Sequence, residues 1–169
     1  MKPEALVHPF PAFYRPDSKV LILGSFPSVK SREQRFFYGH PQNRFWRVLA
    51  TLFAEPAPAS IDEKRAFLAA HRIALWDVIA SCTIIGSSDS SIRDVVPNPL
   101  ETVLSAAPIR EIFVNGKTAA RYYRQFQLPT LGREAVCLPS TSPANAAYSP
   151  ERLAAEWIAV LKALEREEP

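Results

Sequence analysis

The run Leu21-Ile22-Leu23-Gly24-Ser25 constrains the fold more than any other part of the chain. Consecutive aliphatic residues without polar alternation suit a strand buried on both faces, and such strands belong to parallel sheets covered by helices. Gly24 and Ser25 end the strand with small residues, where an open α/β sheet places its ligands. The turn continues through Phe26-Pro27-Ser28, and a second stretch, His40-Pro41-Gln42-Asn43-Arg44-Phe45-Trp46, follows closely. Together they point to a pocket for a flat polar ring beside a phosphate-bearing chain.

Strand and helix patterns then alternate. Strands are expected at 19–23, 73–75, 111–114 and 135–138, and helices at 43–53, 60–70, 98–106 and 118–126, with a last one starting at 149. Ser60 with Glu63 makes a capping box, and Asn98-Pro99 and Ser149-Pro150 place a capping side chain before a first-turn proline. The last helix gathers Leu153, Trp157, Val160, Leu161 and Leu164 on one face. Residues 1–18 should wrap the surface, and the aperiodic stretch before Gln42 is long enough to be functional. The expected architecture is a single domain over residues 1–169, a three-layer α/β/α fold with a central, mainly parallel four-stranded sheet.

Composition limits the function classes. A hydrophobic share of 47% excludes a mainly disordered chain, and no run approaches the roughly 20 apolar residues of a membrane helix. The first residues show no basic segment followed by an apolar one, so no secretory leader is expected. Cys82 and Cys137 give no disulfide framework, so a reducing, cytoplasmic setting is expected, beside the chromosome if the source has no nucleus. Lys and Arg (20) against Asp and Glu (17) leave +3, which permits nucleic-acid binding without requiring it. No Cys or His lies at compact ligand spacing, so neither a metal nor a cofactor is expected.

Several side chains could carry chemistry. Asn43 can accept through its oxygen and donate through its nitrogen, or simply cap the helix. His40 could bind phosphate, protonate a leaving base or pack. Ser25 and Ser28 lack the flanking glycines of a hydrolase elbow and read first as turn residues. Phe36, Phe37 and Tyr38 form a stacking set, with Tyr38 the best pocket wall because its hydroxyl tolerates partial exposure. Asn115 follows a strand pattern and could read a base edge or cap the next helix, and Asp77 is a carboxylate near a strand end that could simply cap the turn after Trp76. The loops 86–91, containing Ser87, Ser88 and Asp89, and 138–145, containing Ser140, Thr141, Ser142 and Asn145, offer hydroxyls and amides to a phosphate, or serve as polar turns. Lys117, Arg121 and Arg124 read as a solvated helix surface.

Five segments in order resemble the uracil-DNA glycosylase superfamily, and its hypoxanthine-DNA glycosylase branch, family 6, in particular. They are Gly24-Ser25-Phe26-Pro27-Ser28, His40 to Trp46, Ala74-Leu75-Trp76-Asp77-Val78, Gly86 to Ser91 and Ser140-Thr141-Ser142-Pro143-Ala144-Asn145. The resemblance implies a monofunctional enzyme that flips a damaged nucleotide out of DNA and hydrolyses its N-glycosidic bond, releasing hypoxanthine from deoxyinosine. The partner would be DNA containing deaminated bases, and the protein is expected to act as a monomer. Phe26 stands where mismatch-specific uracil glycosylases carry Asn and others Asp, so ordinary water activation does not transfer to it. The branch instead places its important amide at Asn43 and its stacking aromatic at Tyr38. Gly24, Ser25, Phe26, His40, Asp77 and Asn115 would complete the base pocket. Ser28, Ser87, Ser88, Ser140, Thr141, Ser142 and Asn145 would meet the DNA, with Ser140 standing at a usual His or Asn position. Two alternatives stay open: a uracil-preferring mismatch glycosylase, and a damaged-base-binding module without turnover.

Overall fold

The structure, a computed structural model, describes residues 2–166. Its centre is a four-stranded parallel sheet built from β2 (Val20–Gly24), β3 (Ile73–Asp77), β6 (Glu111–Asn115) and β7 (Val136–Leu138), in the order β3-β2-β6-β7. Every residue of β2 and β3 is buried, as unbroken apolar runs require. Register sets Gly24 opposite Asp77 and Asn115 opposite Leu138, so four strand ends converge on one edge. Helices flank the sheet as expected.

The aliphatic strands pack against α2 (Phe45–Phe53) and α7 (Pro150–Glu165), whose Phe45 and Trp157 are fully buried and meet edge to face at 5.8 Å. Rings in this geometry contribute beyond the area they bury. The capping box at Ser60 forms at the start of α3 (Ile61–Ala70), and Ser149 caps α7 with Pro150 in its first turn. α5 (Lys117–Phe126) covers β6 and β7; its Lys117, Arg121 and Arg124 are exposed.

A second sheet departs from the sequence expectation. β1 (Glu4–Val7), β4 (Ile79–Ile84) and β5 (Arg93–Pro97) form an antiparallel sheet in the order β1-β4-β5. The N-terminal segment therefore supplies a strand as well as a wrap, and Phe13 bridges to Leu75 on β3. Only Val78 separates β3 from β4, and this crossover is locked by two buried amides. Asn98 Nδ2 donates to Asp77 O at 2.8 Å and Ile79 O at 3.1 Å, while Gln127 Nε2 donates to Val78 O and Asn98 O. Asn98 is thus not a helix cap: its side chain satisfies strand carbonyls, and the helix that follows, α4 (Glu101–Leu104), is capped at Leu100 and is shorter than expected. Within the aperiodic stretch, Ser28 caps a short helix, α1 (Val29–Gln34), through its bond from Ser31 N.

Candidate active site

The converging strand ends open into a cavity of about 350 Å³ whose wall includes Gly24, Phe26, Tyr38, Asn43, Asp77 and Asn115. The sheet edge places residues separated by most of the chain around one space. Of the expected site residues, Ser25, Ser28, His40, Ser87, Ser140, Thr141 and Ser142 also line it. Ser88 and Asn145 do not. Ser88 is exposed and bonds Ser90, and Asn145 Nδ2 is turned onto Ser140 O at 3.0 Å. Phe36 and Phe37 are core residues, each 2% exposed, and Phe37 also touches the cavity.

Asn43 is held by a chain of hydrogen bonds that fixes its amide. The Phe45 backbone N–H donates to Asn43 Oδ1 at 2.9 Å, which identifies that atom as the oxygen because a backbone N–H can only donate. The Thr141 N–H likewise identifies Asn115 Oδ1, at 3.1 Å, leaving Asn115 Nδ2 to donate to Thr141 Oγ1 at 3.0 Å. The Thr141 hydroxyl in turn donates a hydrogen bond to Asn43 Oδ1 at 2.8 Å. Both lone-pair positions of Asn43 Oδ1 are therefore filled from within the protein, and Nδ2 is the group left for a ligand. Phe45 opens α2, so the Asn43 oxygen does the work of a helix cap as well as taking the Thr141 hydroxyl, while Arg44 at the cap position itself makes no side-chain bond. Asn115 serves Thr141, while the cap of α5 is Gly116.

Thr141 is fully buried. It forms part of this relay, and its side chain is turned away from any exposed DNA-contact position.

Arg44 fixes the following loop. Its guanidinium donates to the carbonyls of Thr141, Ser142, Asn145 and Tyr148, the Ser142 bond at 2.8 Å, and its backbone N–H donates to Thr141 O at 3.0 Å. A planar fork of donors can serve several carbonyls at once, which an ammonium cannot. Trp157 Nε1 holds the loop's start through Pro139 O at 2.9 Å.

Tyr38 sits in the left-handed backbone region, with φ 53°, a conformation disfavoured for a residue with a Cβ. Trp46 stabilises it by sharing its indole N–H between Phe37 O and Tyr38 O. One face of the Tyr38 ring stacks on Phe45, with centroids 3.9 Å apart and planes at 20°. Its hydroxyl is buried beside the Asn115 side chain, without a well-formed hydrogen bond. Burial, reinforced by the Asp77 charge, pushes that phenol well above the ordinary tyrosine value.

The pocket's acidic side is better ordered than the sequence indicates. His8 Nε2 lies 2.7 Å from Asp77 Oδ2, and both side chains are about 95% buried. The Phe10 N–H approaches His8 Nδ1 at 3.5 Å, so Nδ1 accepts and Nε2 carries the proton given to Asp77. The rings of Phe10, Phe26 and Phe37 surround the imidazole. His8 stands 69 residues from Asp77 in a segment with no periodic signal, and no local pattern could have found it. Gly24 matters for the same carboxylate: a Cβ there would lie 2.5 Å from Asp77 Oδ1 and 3.3 Å from the Tyr38 hydroxyl. Asp89 turns its carboxylate inward to accept from Ser25 Oγ at 3.0 Å, and desolvation raises its pKa against that bond. Among the described residues no group of three or more His, Cys, Asp or Glu could hold a metal ion. No described helix is long and apolar enough to cross a membrane.

The cavity at the parallel strand ends thus holds a fixed amide and a buried carboxylate in one wall. The model of the uracil DNA glycosylase superfamily matches residues 11–165, and the chain belongs to that superfamily. It is 37% identical over 155 residues to a Methanosarcina acetivorans protein named hypoxanthine DNA glycosylase, covering 90% of this chain and 96% of that one. A Methanosarcina barkeri protein of the same name is 32% identical over 138 residues, covering 80% and 86%. A solution NMR structure of a Methanosarcina acetivorans protein, a candidate uracil DNA glycosylase, superposes with a TM-score of 0.78 at 36% identity, covering 93% of this chain and 97% of that one.

Proposed function

We propose that this protein is a monofunctional DNA glycosylase that hydrolyses the N-glycosidic bond of deoxyinosine in DNA and releases hypoxanthine. The observation that carries this reading is that a free amide donor, Asn43 Nδ2, and a buried acceptor, the Asp77 carboxylate, line the same cavity. A deaminated purine presents a complementary edge: its N1–H donates and its O6 accepts. Adenine has no N1 proton and offers a donor where hypoxanthine has a carbonyl. A site built for one hydrogen-bond pattern rejects the other because its buried groups are left unpaired. The relatives named hypoxanthine DNA glycosylase support the same substrate.

In this reading the free face of Tyr38 receives the flipped base, and flipping costs a few kcal/mol, least at a mismatch. The C1′–N9 bond breaks with its electron pair moving into the base, and Asn43 Nδ2 stabilises the density that develops there. A pre-oriented donor is most effective because it need not reorganise during the reaction. Water adds to C1′ from the other side and loses a proton. Because the Asn43 oxygen is filled, that proton passes to a carboxylate or to solvent, with Asp89 the pocket's second acidic group. The Asp77 and Asp89 charges also favour the positive charge that forms on the sugar. Ser28, Ser87, Ser140 and Ser142 at the rim contact the strand backbone. The enzyme works as a monomer in the compartment that holds the chromosome.

The test is release of free base from matched duplexes carrying deoxyinosine, deoxyuridine, deoxyxanthosine or deoxyadenosine. The reading expects deoxyinosine to be processed fastest and deoxyadenosine not at all. Uracil shares the carbonyl and imide N–H, so it is the expected second substrate. Faster release of uracil than hypoxanthine would instead favour the uracil-preferring reading, and tight lesion binding without free base would leave only a binding module.

A further inference from the structure

A second, shallower cleft of about 300 Å³ lies beside the pocket, with Tyr38, His40 and Asn43 shared between the two walls. Its far side carries Lys64, Arg47 and Trp46. The Lys64 stem is largely covered, while its ammonium lies over the Trp46 ring, 5.2 Å from the centroid, and reaches the cleft. Among the described residues it has no carboxylate or hydrogen-bond partner for that ammonium. A lysine stem covered in this way holds its charged head at the mouth of the cleft, with no counter-charge from the protein. Asp62 and Glu63 stand in the same turn of α3 but do not line the cleft, and Glu63 is engaged by the Ser60 N–H in the capping box. Arg47 is exposed with no acidic partner in the described residues. His40 Nδ1 accepts from the Gln42 N–H at 3.1 Å, which leaves Nε2 as a donor. The cleft thus carries two cations and a ring donor, and no carboxylate lines it.

We infer that this cleft is a seat for a backbone phosphodiester of the lesion-bearing DNA strand, adjacent to the nucleotide flipped into the main pocket. Tyr38, His40 and Asn43 belong to both walls, so a strand that delivers its base past Tyr38 and Asn43 brings its backbone alongside this cleft. A phosphate supplies the missing charge, and Lys64, pre-set over Trp46, meets it with little side-chain ordering. Contacts of this kind carry affinity and register, not sequence choice. The inference rests on the reading of the chain as a DNA glycosylase and assigns to it a contact outside the base pocket.

Lys64→Met keeps the apolar stem on Trp46 and removes the charge; Lys64→Arg restores it. Binding to a deoxyinosine duplex is measured by fluorescence anisotropy between about 50 and 200 mM salt. The expected result for Lys64→Met is affinity lower by about tenfold at low salt and a log–log salt slope smaller by about one. Lys64→Arg should recover both, and the single-turnover rate of base release at saturating enzyme should not change in Lys64→Met. A scan of neutral methylphosphonates beside the lesion should find one position that weakens the wild type and leaves Lys64→Met unaffected. An unaltered slope in a folded Lys64→Met protein overturns the assignment while leaving the glycosylase reading intact. Inorganic phosphate bound at Lys64 and not displaced by DNA would make the cleft a free-anion site and overturn it too. A wild type that binds no DNA overturns both readings.

Discussion

Replacing Asn43 by Asp and by Ala separates two jobs that one side chain performs. Asn43 Oδ1 accepts from the Phe45 N–H and the Thr141 hydroxyl. Alanine strands both donors. Thr141 is fully buried and bears the full desolvation penalty, about 1–3 kcal/mol, while the Phe45 N–H at the start of α2 can reach water at a smaller cost. The sum is a loss of about 2–3 kcal/mol, and a domain of this size should melt roughly 5–10 °C lower. Aspartate keeps both acceptor bonds and places a negative charge near the positive end of α2, a favourable contact of about 0.3–1 kcal/mol that is set against repulsion from Asp77 and Asp89. Its melting temperature should stay within about 3 °C of wild type. Both variants lack the amide N–H, so both should lose about 10²–10³-fold in single-turnover base release, the usual consequence of removing one positioned donor. Thermal melts monitored by circular dichroism and a glycosylase assay at saturating enzyme read the two effects separately. If Asn43→Asp keeps more than about a tenth of wild-type turnover, the side chain acts as an acceptor toward water and the donor argument fails.

Three other variants probe the supports. Thr141→Val conserves shape but breaks the relay from Asn115 to Asn43; stability should fall by about 1–3 kcal/mol and base release at least tenfold, and unchanged turnover would show that the amide needs no such support. Gly24→Ala forces a methyl against Asp77 Oδ1 and the Tyr38 hydroxyl, so the rate of base release should drop while affinity for undamaged DNA is kept; equal loss of both would place the damage outside the base pocket. Arg44→Lys keeps the charge but cannot span four carbonyls; limited proteolysis should cut faster within residues 141–148, and lesion-DNA affinity should weaken about tenfold, whereas an unchanged digest would refute the clamp.

Unbroken apolar runs made β2 and β3 legible, and capping chemistry made α3 and α7 legible, because in each case the signal lies within a few residues. The antiparallel sheet was hidden. β1 is only four residues long and mostly exposed, β4 carries short polar residues across two register shifts, and β5 holds Asp94 at φ 57° and ends in Pro97. The polar helix α1 shows no apolar face that could mark it. Around the site, the strand-end rule gathered Gly24, Asp77 and Asn115, and motif resemblance added Tyr38 and Asn43. What those residues do to one another was not readable. The His8 contact spans 69 residues and the Thr141 bond to Asn43 spans 98, and only the folded chain turns Asn43 into a donor whose oxygen is already engaged.

The most direct measurement follows a duplex with a single deoxyinosine, incubated with wild-type protein and divided for two readings. Mass spectrometry looks for free base, and a denaturing gel checks the strand before and after alkali. The account predicts free hypoxanthine in an amount equal to the abasic sites, with a strand that stays whole until alkali is added. Folded protein that liberates no hypoxanthine, or that breaks the strand without alkali, would contradict it.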